Sequence, residues 1–505
     1  MNASILTLIT FLPVAGAGMV TLLPKRLLPA FTLLFTLFIF LLTLHLPAHF
    51  DTARHGFQFA CNLPWITTPA IHYHVGVDGL SLWLVVLVGF LAPLGVLISW
   101  RVIDHHQREF YSLFLLQQTA MFGIFVSLDL MLYYAFWELS LIPITLLIGI
   151  FGRKNGRAAA IKFFLYAFIP SALLLVAILW LYAKTGTFDF VLLQSQMHAL
   201  AAGANATGLW LASLAFLLAF AVKVPIFPLH AWLADGISEA PTAIAMILAG
   251  KLGLYSLLRF HVGLFPDQAA HIAPLLVALG VIGILYGSLL ALVQTDLKRL
   301  AAYATLGALS FCVLGIYAFT AASMDGAVYQ ILSESVSAGA FFMLLGILYE
   351  RYATYDMAQL GGIAKKLPGL ATLFVITALS LIGLPILNGF VGEFMILSGS
   401  FQTHPRLAST AALGVILSAA YMLWMLQRVF YGAPSKLIAD GTQADINGRE
   451  RFALWPTVAL MLVMGVASVY WMRAIDATVP GFAPRCAPAS ITTRISNYAR
   501  MTNLR

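Results

Sequence analysis

The chain has 505 residues, of which 61% are hydrophobic and only 10% charged; a soluble domain carries about 25% charged residues, so a dispersed globular protein is excluded. The net charge of +8 sits between apolar runs, so it carries no nucleic-acid footprint. Cys61, Cys312 and Cys486 are scattered and odd in number, which gives neither a disulfide framework nor a metal motif.

No glycine-rich phosphate loop, CxxC pair or HExxH is present. A nucleotide, flavin, iron–sulfur cluster or metal is therefore not expected in this chain. The apolar residues come in runs of about 20, the length that crosses a hydrocarbon core of roughly 30 Å. The fold class expected is all-α: a polytopic membrane protein of about fourteen transmembrane helices.

In chain order the helices are expected at 3–23, 27–47, 78–100, 111–127, 130–150, 158–182 and 208–230. The second seven are expected at 240–260, 272–293, 299–320, 325–349, 368–397, 407–428 and 452–474. The first run, Ile5 to Leu23, has no basic region before it and no small-residue cleavage site after it. It reads as a retained helix rather than a removed signal. The fourth and fifth are divided only by Ser127-Leu128-Asp129.

Lysines and arginines test the orientation. Seventeen fall in odd-numbered connections, from Lys25 and Arg26 in the first to Arg449 and Arg451 in the thirteenth. Four fall in even-numbered ones: Arg54, Lys184, Arg259 and Arg406. One missed helix would scramble that asymmetry, so both termini are expected outside a prokaryotic plasma membrane.

Two helices are interrupted. The seventh reads Lys223-Val-Pro225-Ile-Phe-Pro228-Leu-His230, and the twelfth Gly383-Leu-Pro385-Ile-Leu-Asn388-Gly389. Either could be an ordinary proline kink, since proline removes a donor and clashes with the preceding turn. Two breaks five helices apart, with Lys223 before one and Glu393 after the other, point instead to an ion site in a repeat-built transporter. A unit of helices 4–8 repeated at 9–13 is inverted, because five is odd. The division expected is an N-terminal three-helix segment at 1–110, repeats at 111–260 and 272–430, and a last helix and tail at 431–505.

A charge at a helix centre costs about 2.5–3.5 kcal/mol, so each buried one needs a reason. Glu138 lies in an apolar helix with no charged neighbour in sequence, and its partner must come from another helix. Lys223 ends a run that is almost wholly apolar; snorkelling to the interface is the plain alternative. Lys251 has apolar turns on both sides, and Glu393 is flanked by glycines that leave room for water. Glu334 sits among serines on a wet face. His230 follows the first break and suits either a proton relay or a local hydrogen bond. Glu239, before Pro241, suits a cap on the eighth helix. Asp296, Lys298 and Arg299 suit an interfacial anchor. The order Glu138, Lys223, Lys251, Glu334, Glu393 alternates acid and base through an apolar bundle, which suits proton transfer and neither hydrolysis nor metal chemistry.

The motifs Phe136-Trp-Glu138-Leu, Lys223-Val-Pro-Ile-Phe-Pro-Leu-His230-Ala-Trp-Leu, Glu239-Ala-Pro-Thr-Ala, Asp296-Leu-Lys-Arg-Leu-Ala-Ala-Tyr303 and Asn388-Gly-Phe-Val-Gly-Glu393-Phe resemble the antiporter-like subunits of respiratory complex I. The nearest likeness is to the branch called chain M in bacteria and subunit 4 in mitochondria, and His74-Val-Gly-Val-Asp78-Gly-Leu-Ser-Leu is similar to that branch near its third helix. The likeness runs from about Tyr73 to Gly432. It implies a proton-translocating, non-redox subunit of NADH:quinone oxidoreductase. FMN, iron–sulfur clusters and quinone would then belong to partner subunits, and protons would be the transported ion. By position Glu138, Lys223, Lys251 and Glu393 match the family's pathway residues.

The chain departs from the pattern at three places where the family has histidine, Ile237, Ala308 and Glu334. It is also about three residues shorter near Ala249-Gly250-Lys251, marking a divergent branch. Related motifs occur in cation/proton antiporters and membrane-bound hydrogenases, and a non-pumping scaffold copy would share them too.

Overall fold

A computed structural model describes residues 4–54, 56–201, 205–248, 251–479 and 482. Proline, glycine and capping residues divide its apolar runs into helices. The N-terminal pair is α1 (Ile5–Leu22) and α2 (Leu28–Thr43). An antiparallel hairpin follows, β1 (Gln58–Ile66) with β2 (Ile71–Val77). The hairpin adds a feature that the helical reading lacked. Its second strand, Ile-His-Tyr-His-Val-Gly-Val, is rich in the branched and aromatic residues that fit a pleated ladder.

Next come α3 (Leu82–Ser99), α4 (Gln107–Val126), α5 (Leu130–Phe151), α6 (Gly156–Thr185) and a short α7 (Phe190–Ala201). The first broken helix is α8 (Ala206–Lys223) with α9 (Ala231–Glu239). The eighth expected helix is α10 (Thr242–Leu248) and α11 (Lys251–Ser256), the latter running into a π-helical turn at Leu257–Val262. The shortening expected at Ala249 and Gly250 lies outside the described residues.

The second half is α12 (Pro266–Leu292), α13 (Leu297–Tyr317), α14 (Ala321–Tyr352), the broken pair α15 (Pro368–Leu381) and α16 (Asn388–Thr403), and α17 (Pro405–Leu426). α17 also ends in a π-helical turn, Gln427–Tyr431. The last helix is bent by 68° between α18 (Gly448–Val466) and α19 (Val469–Asp476).

Every expected segment contains a helix, but fourteen is not the count by length and composition. Among the described residues eleven helices are long and apolar enough to cross a membrane, or twelve with the bent last pair. α4 falls short because it carries Gln107, Arg108, Glu109, Gln117 and Gln118. α15 and α16 fall short because the break leaves them 14 and 16 residues long. Leu34, Val176, Leu211 and Ile416 project from the outer faces of α2, α6, α8 and α17, which is where lipid would replace water. α14 is buried along its span, packing on α10, α13 and α16, and so joins the two halves.

The halves share a backbone seam. Asp129 begins α5, accepting from Met131 N and Leu132 N. Asp296 begins α13 in the same way, accepting from Lys298 N and Arg299 N. Leu130 N donates to Phe188 O and Phe190 N to Leu128 O, at 2.9 and 2.8 Å. Leu297 N donates to Tyr355 O and Met357 N to Thr295 O, both at 2.9 Å. The bridges Asp129↔Asp189 and Asp296↔Asp356 thus recur at one spacing along the chain. The insecure division between the fourth and fifth helices is this seam: Ser127 turns extended after Val126, and Asp129 starts the next helix.

Candidate functional site

α8 ends at Lys223 because Pro225 cannot donate to the next turn. The freed carbonyls need partners in lipid. Ile226 N donates to Ala221 O at 2.9 Å, and the Trp232 indole N–H donates to Val222 O at 2.8 Å. A Cβ on Gly253 would lie 2.8 Å from Val224 N, so glycine there lets α11 press against the break.

Lys223 is 7% exposed. Its Nζ donates to Ser140 Oγ at 3.1 Å and lies 4.3 Å from the Trp137 ring centre. The Trp137 indole is itself fixed by donating to Ser171 Oγ at 2.7 Å. Glu138, between these two anchors on α5, is half-buried, and its Oε1 has no hydrogen-bond partner. Its charge reaches Lys223, but no ion pair closes within 4 Å among the described residues. The partner expected from another helix is accordingly not in contact. Tyr134, one turn back on the same helix, is within hydrogen-bonding reach of Glu138. An ammonium resting on a hydroxyl and an indole face is held without being neutralised.

Lys251 is 1% exposed, and its Nζ donates to Met246 O at 3.0 Å. It shares a cavity of about 20 Å³ with Gln118, Phe114, Leu91 and Met121, and neither amide atom of Gln118 has a partner. Lys251 is coupled through its charge to Glu334 on α14, and Glu334 in turn to Glu393 on α16. The second break is held by Asn388. Its Nδ2 donates to Ser333 O and Ser337 Oγ, and its Oδ1 accepts from Ser380 Oγ at 2.5 Å. A Cβ on Gly383 would lie 2.6 Å from Glu393 Oε2.

The structure thus groups Glu138 with Lys223, and Lys251 with Glu334 and Glu393. His230 stands apart. Its half-buried ring stacks on Phe227 at 5.5 Å and meets the Tyr286 edge at 5.0 Å, with Nδ1 unpartnered.

Several expectations change. Arg259 does not sit in a connection. It is buried in the first π turn, ion-paired with Asp78 at 2.5 Å and bonded to Tyr255 Oη at 3.3 Å. Glu239 does not cap the eighth helix; its carboxylate accepts from Asn155 N at 3.0 Å, at the start of α6. Lys298 is buried in the first turn of α13 and donates to Ala240 O, while Asp296 caps α13 and Arg299 is exposed. Sequence reading also missed His261, which is fully buried, with Tyr317 Oη 2.8 Å from Nδ1 and Ser213 Oγ 3.2 Å from Nε2. The signal for Arg259 and His261 was present: two ionisable residues two apart inside an apolar run. Paired glutamines in α4 gave a similar signal for Gln118. Among the described residues no group of three or more His, Cys, Asp or Glu gathers to hold a metal.

An apolar bundle with two broken helices and buried charges beside them is the architecture of an ion-translocating membrane protein. The family model for the NADH:quinone oxidoreductase/Mrp antiporter membrane region matches residues 127–418. The chain is 39% identical over 483 residues to NADH-quinone oxidoreductase subunit M of Rhodobacter capsulatus, covering 92% of this chain and 93% of that one. It is 36% identical over 477 residues to NADH-ubiquinone oxidoreductase chain 4 of Arabidopsis thaliana, covering 92% and 94%. A chain of the solved respiratory complex I from Thermus thermophilus with bound NADH superposes with a TM-score of 0.87 at 31% identity, over 97% of this chain and all of that one. The chain belongs to the NADH:quinone oxidoreductase/Mrp antiporter family of membrane subunits.

Proposed function

We propose that this chain is the M-type proton-translocating subunit of a membrane-bound NADH:quinone oxidoreductase. It works beside other membrane subunits, carries no redox group itself, and is driven by FMN, iron–sulfur and quinone chemistry in its partners. The observation that carries the reading is the pair of broken helices, each with an ionisable residue at the break and a charged series between them. Residues 111–260 and 272–430 act as inverted half-channels, and both termini lie outside the plasma membrane, in keeping with the asymmetry of basic residues.

Glu138 sets the field at Lys223 without touching it. A charge arriving beside Glu138 changes how firmly Lys223 holds its proton, because a carboxylate within a few ångströms favours the ammonium and its neutralisation does not. The proton passes toward Lys251, where Gln118 and a water-sized cavity offer a bridge. Glu334 takes the place of a histidine and links Lys251 to Glu393, which delivers to the outside. His230 acts at the entrance beside the first break.

Glu393→Gln keeps the shape and removes the ionisable group. In membranes where the complex assembles at normal levels, NADH-driven proton pumping by this variant is expected to be lost. Pumping at the normal level would overturn the reading. Intact pumping in Lys223→Ala would favour the scaffold alternative.

A further inference from the structure

Asp325, in the second turn of α14, is a buried acid outside the charged series, 6% exposed. It is within hydrogen-bonding reach of Asp476, the exposed last residue of α19. No protein group bonds to its Oδ1 among the described residues. Asp476 is also the charged group whose field reaches it. Arg473, one turn earlier on α19, is exposed, and neither aspartate forms an ion pair among the described residues. Two carboxylates at that range cannot both be ionised, so the hydrogen bond between them holds a proton.

A polar ridge leads inward from the pair. Asp325, Tyr329, Ser333 and Ser337 follow one another at intervals of four along α14, the spacing that lines up one row of a helix. All four are buried. Ser337 Oγ lies 2.8 Å from Ser380 Oγ and accepts from Asn388 Nδ2 at 3.1 Å, at the second break. Ser333 Oγ has no partner among the described residues. Tyr329 Oη donates to Met464 O at 2.6 Å, which leaves its oxygen free to accept. Gln330, whose Oε1 is also without a partner, packs on Gly392, next to Glu393. The three unpartnered atoms of α14 thus fall between Asp325 and Ser333. Buried polar atoms are nearly always satisfied, by water where protein does not serve, so water belongs along this stretch of helix.

We propose that the outer half of α14 is the proton outlet of the second half-channel, running from the break along Ser337, Ser333 and Tyr329 to the Asp325–Asp476 pair, which releases protons outside. The inference rests on the proposed function and deepens it by naming the section beyond Glu393. On the orientation proposed there, the start of α14 and the end of α19 both face outside. Each hydroxyl takes a proton from its inner side and gives its own to the next group, so none of them gains a net charge. Asp325 receives the proton that arrives, Asp476 gives one to the water outside, and the pair returns to its starting state.

The test uses the whole complex in membranes and has two readings. With no electron donor, infrared difference spectra between two pH values are expected to show a protonated-carboxyl band in the wild type that Asp325→Asn lacks. With NADH, Asp325→Asn is expected to cut proton pumping at least roughly tenfold at normal assembly, while Asp325→Glu, which keeps a proton carrier, retains most of it. Asp476→Asn, at an exposed position, is expected to shift the band and slow pumping by a smaller factor. That variant decides the matter where Asp325→Asn fails to assemble. The proposal is overturned if the band is unchanged in the aspartate variants, as it would be if a metal ion rather than a proton bridged the pair. Equal losses in Asp325→Asn and Asp325→Glu would give Asp325 a structural role and overturn it too. Normal pumping in both asparagine variants, with pumping lost in Glu393→Gln, would overturn the outlet and leave the proposed function standing. Normal pumping in Glu393→Gln would overturn the proposed function itself.

Discussion

The two broken helices close their breaks by different means. In the first, a side chain from beyond the break reaches back: the Trp232 indole satisfies Val222 O. In the second, Asn388 gathers Ser333, Ser337 and Ser380 around the start of α16. The charge also changes sides. Lys223 is the last residue of α8, where the helix dipole favours a cation, whereas Glu393 lies in the second turn of α16, near the end that favours an anion. The π turns differ as well. Arg259 in the first is buried on Asp78; Arg428 in the second is exposed over the Trp424 ring at 4.5 Å. The aspartate caps and backbone bonds of the two seams match, while the breaks and the π turns are satisfied by different groups. A shared backbone pattern thus constrains where a group must be satisfied and leaves open which group does it.

That contrast breaks most sharply at the two arginines. Arg259→Ala strands the buried Asp78 carboxylate and is expected to destabilise the chain by about 3–5 kcal/mol, while Arg428→Ala removes an exposed cation–π contact worth about 0.5–1 kcal/mol. Thermal unfolding of the purified complex, followed on this chain, measures both; equal losses would erase the distinction. Next in size are the breaks. Trp232→Phe and Asn388→Ala each leave buried polar groups unpaired, at about 1–3 kcal/mol apiece by the same assay. The helix starts come next. Asp129→Ala and Asp296→Ala each remove a helix cap worth about 1 kcal/mol, and Asp129→Ala is expected to cost more because it also leaves His72 N, 3.1 Å from its carboxylate, without its acceptor; equal losses would remove that bond from the account.

The smallest effect is a pH dependence confined to the first half. Burial pushes the Asp189 carboxyl up, but the His74 hydrogen bond at 2.6 Å and the backbone donors of Leu192 and Val191 outweigh it and hold the group below the usual carboxylate range. A depressed folded value contributes stability that is full above the unfolded value and lost as pH falls through the folded one. Acid is therefore expected to lower the unfolding midpoint modestly in the wild type and less in His74→Ala. Indistinguishable acid profiles would remove His74 from this account.

Much of this was legible in the sequence. Apolar run length gave the helices, proline gave both breaks, and cost of burial singled out Glu138, Lys223, Lys251, Glu334 and Glu393. The failures have physical causes. Run length alone overcounts the crossings: 368–397 counts as one span, but the break that proline marked, Ile382 to Leu387, leaves α15 and α16 only 14 and 16 residues long. Counting Arg259 as a connection followed from its nearness to the segment end, but a π turn carried it back into the core against Asp78, which is 181 positions away. Glu239 was assigned to the helix that follows it, whereas its partner, Asn155, lies on another helix start. The repeat itself was written in small print: Thr187-Phe188-Asp189 and Thr354-Tyr355-Asp356 stand equally far after Asp129 and Asp296. A two-residue likeness is too weak a signal without the backbone bonds that give it meaning.

The seam at those aspartates is made between main-chain atoms, Leu130 with Phe188 and Leu297 with Tyr355. Such a joint is indifferent to most amino-acid replacements, since every residue but proline offers the same donor and acceptor. A duplicated gene could therefore let the interiors of its two copies drift apart in chemistry without losing the joint that keeps each copy folded. The inheritance of shape would be carried by the peptide group, and the side chains would be free to set Lys223 beside one break and Glu393 beside the other.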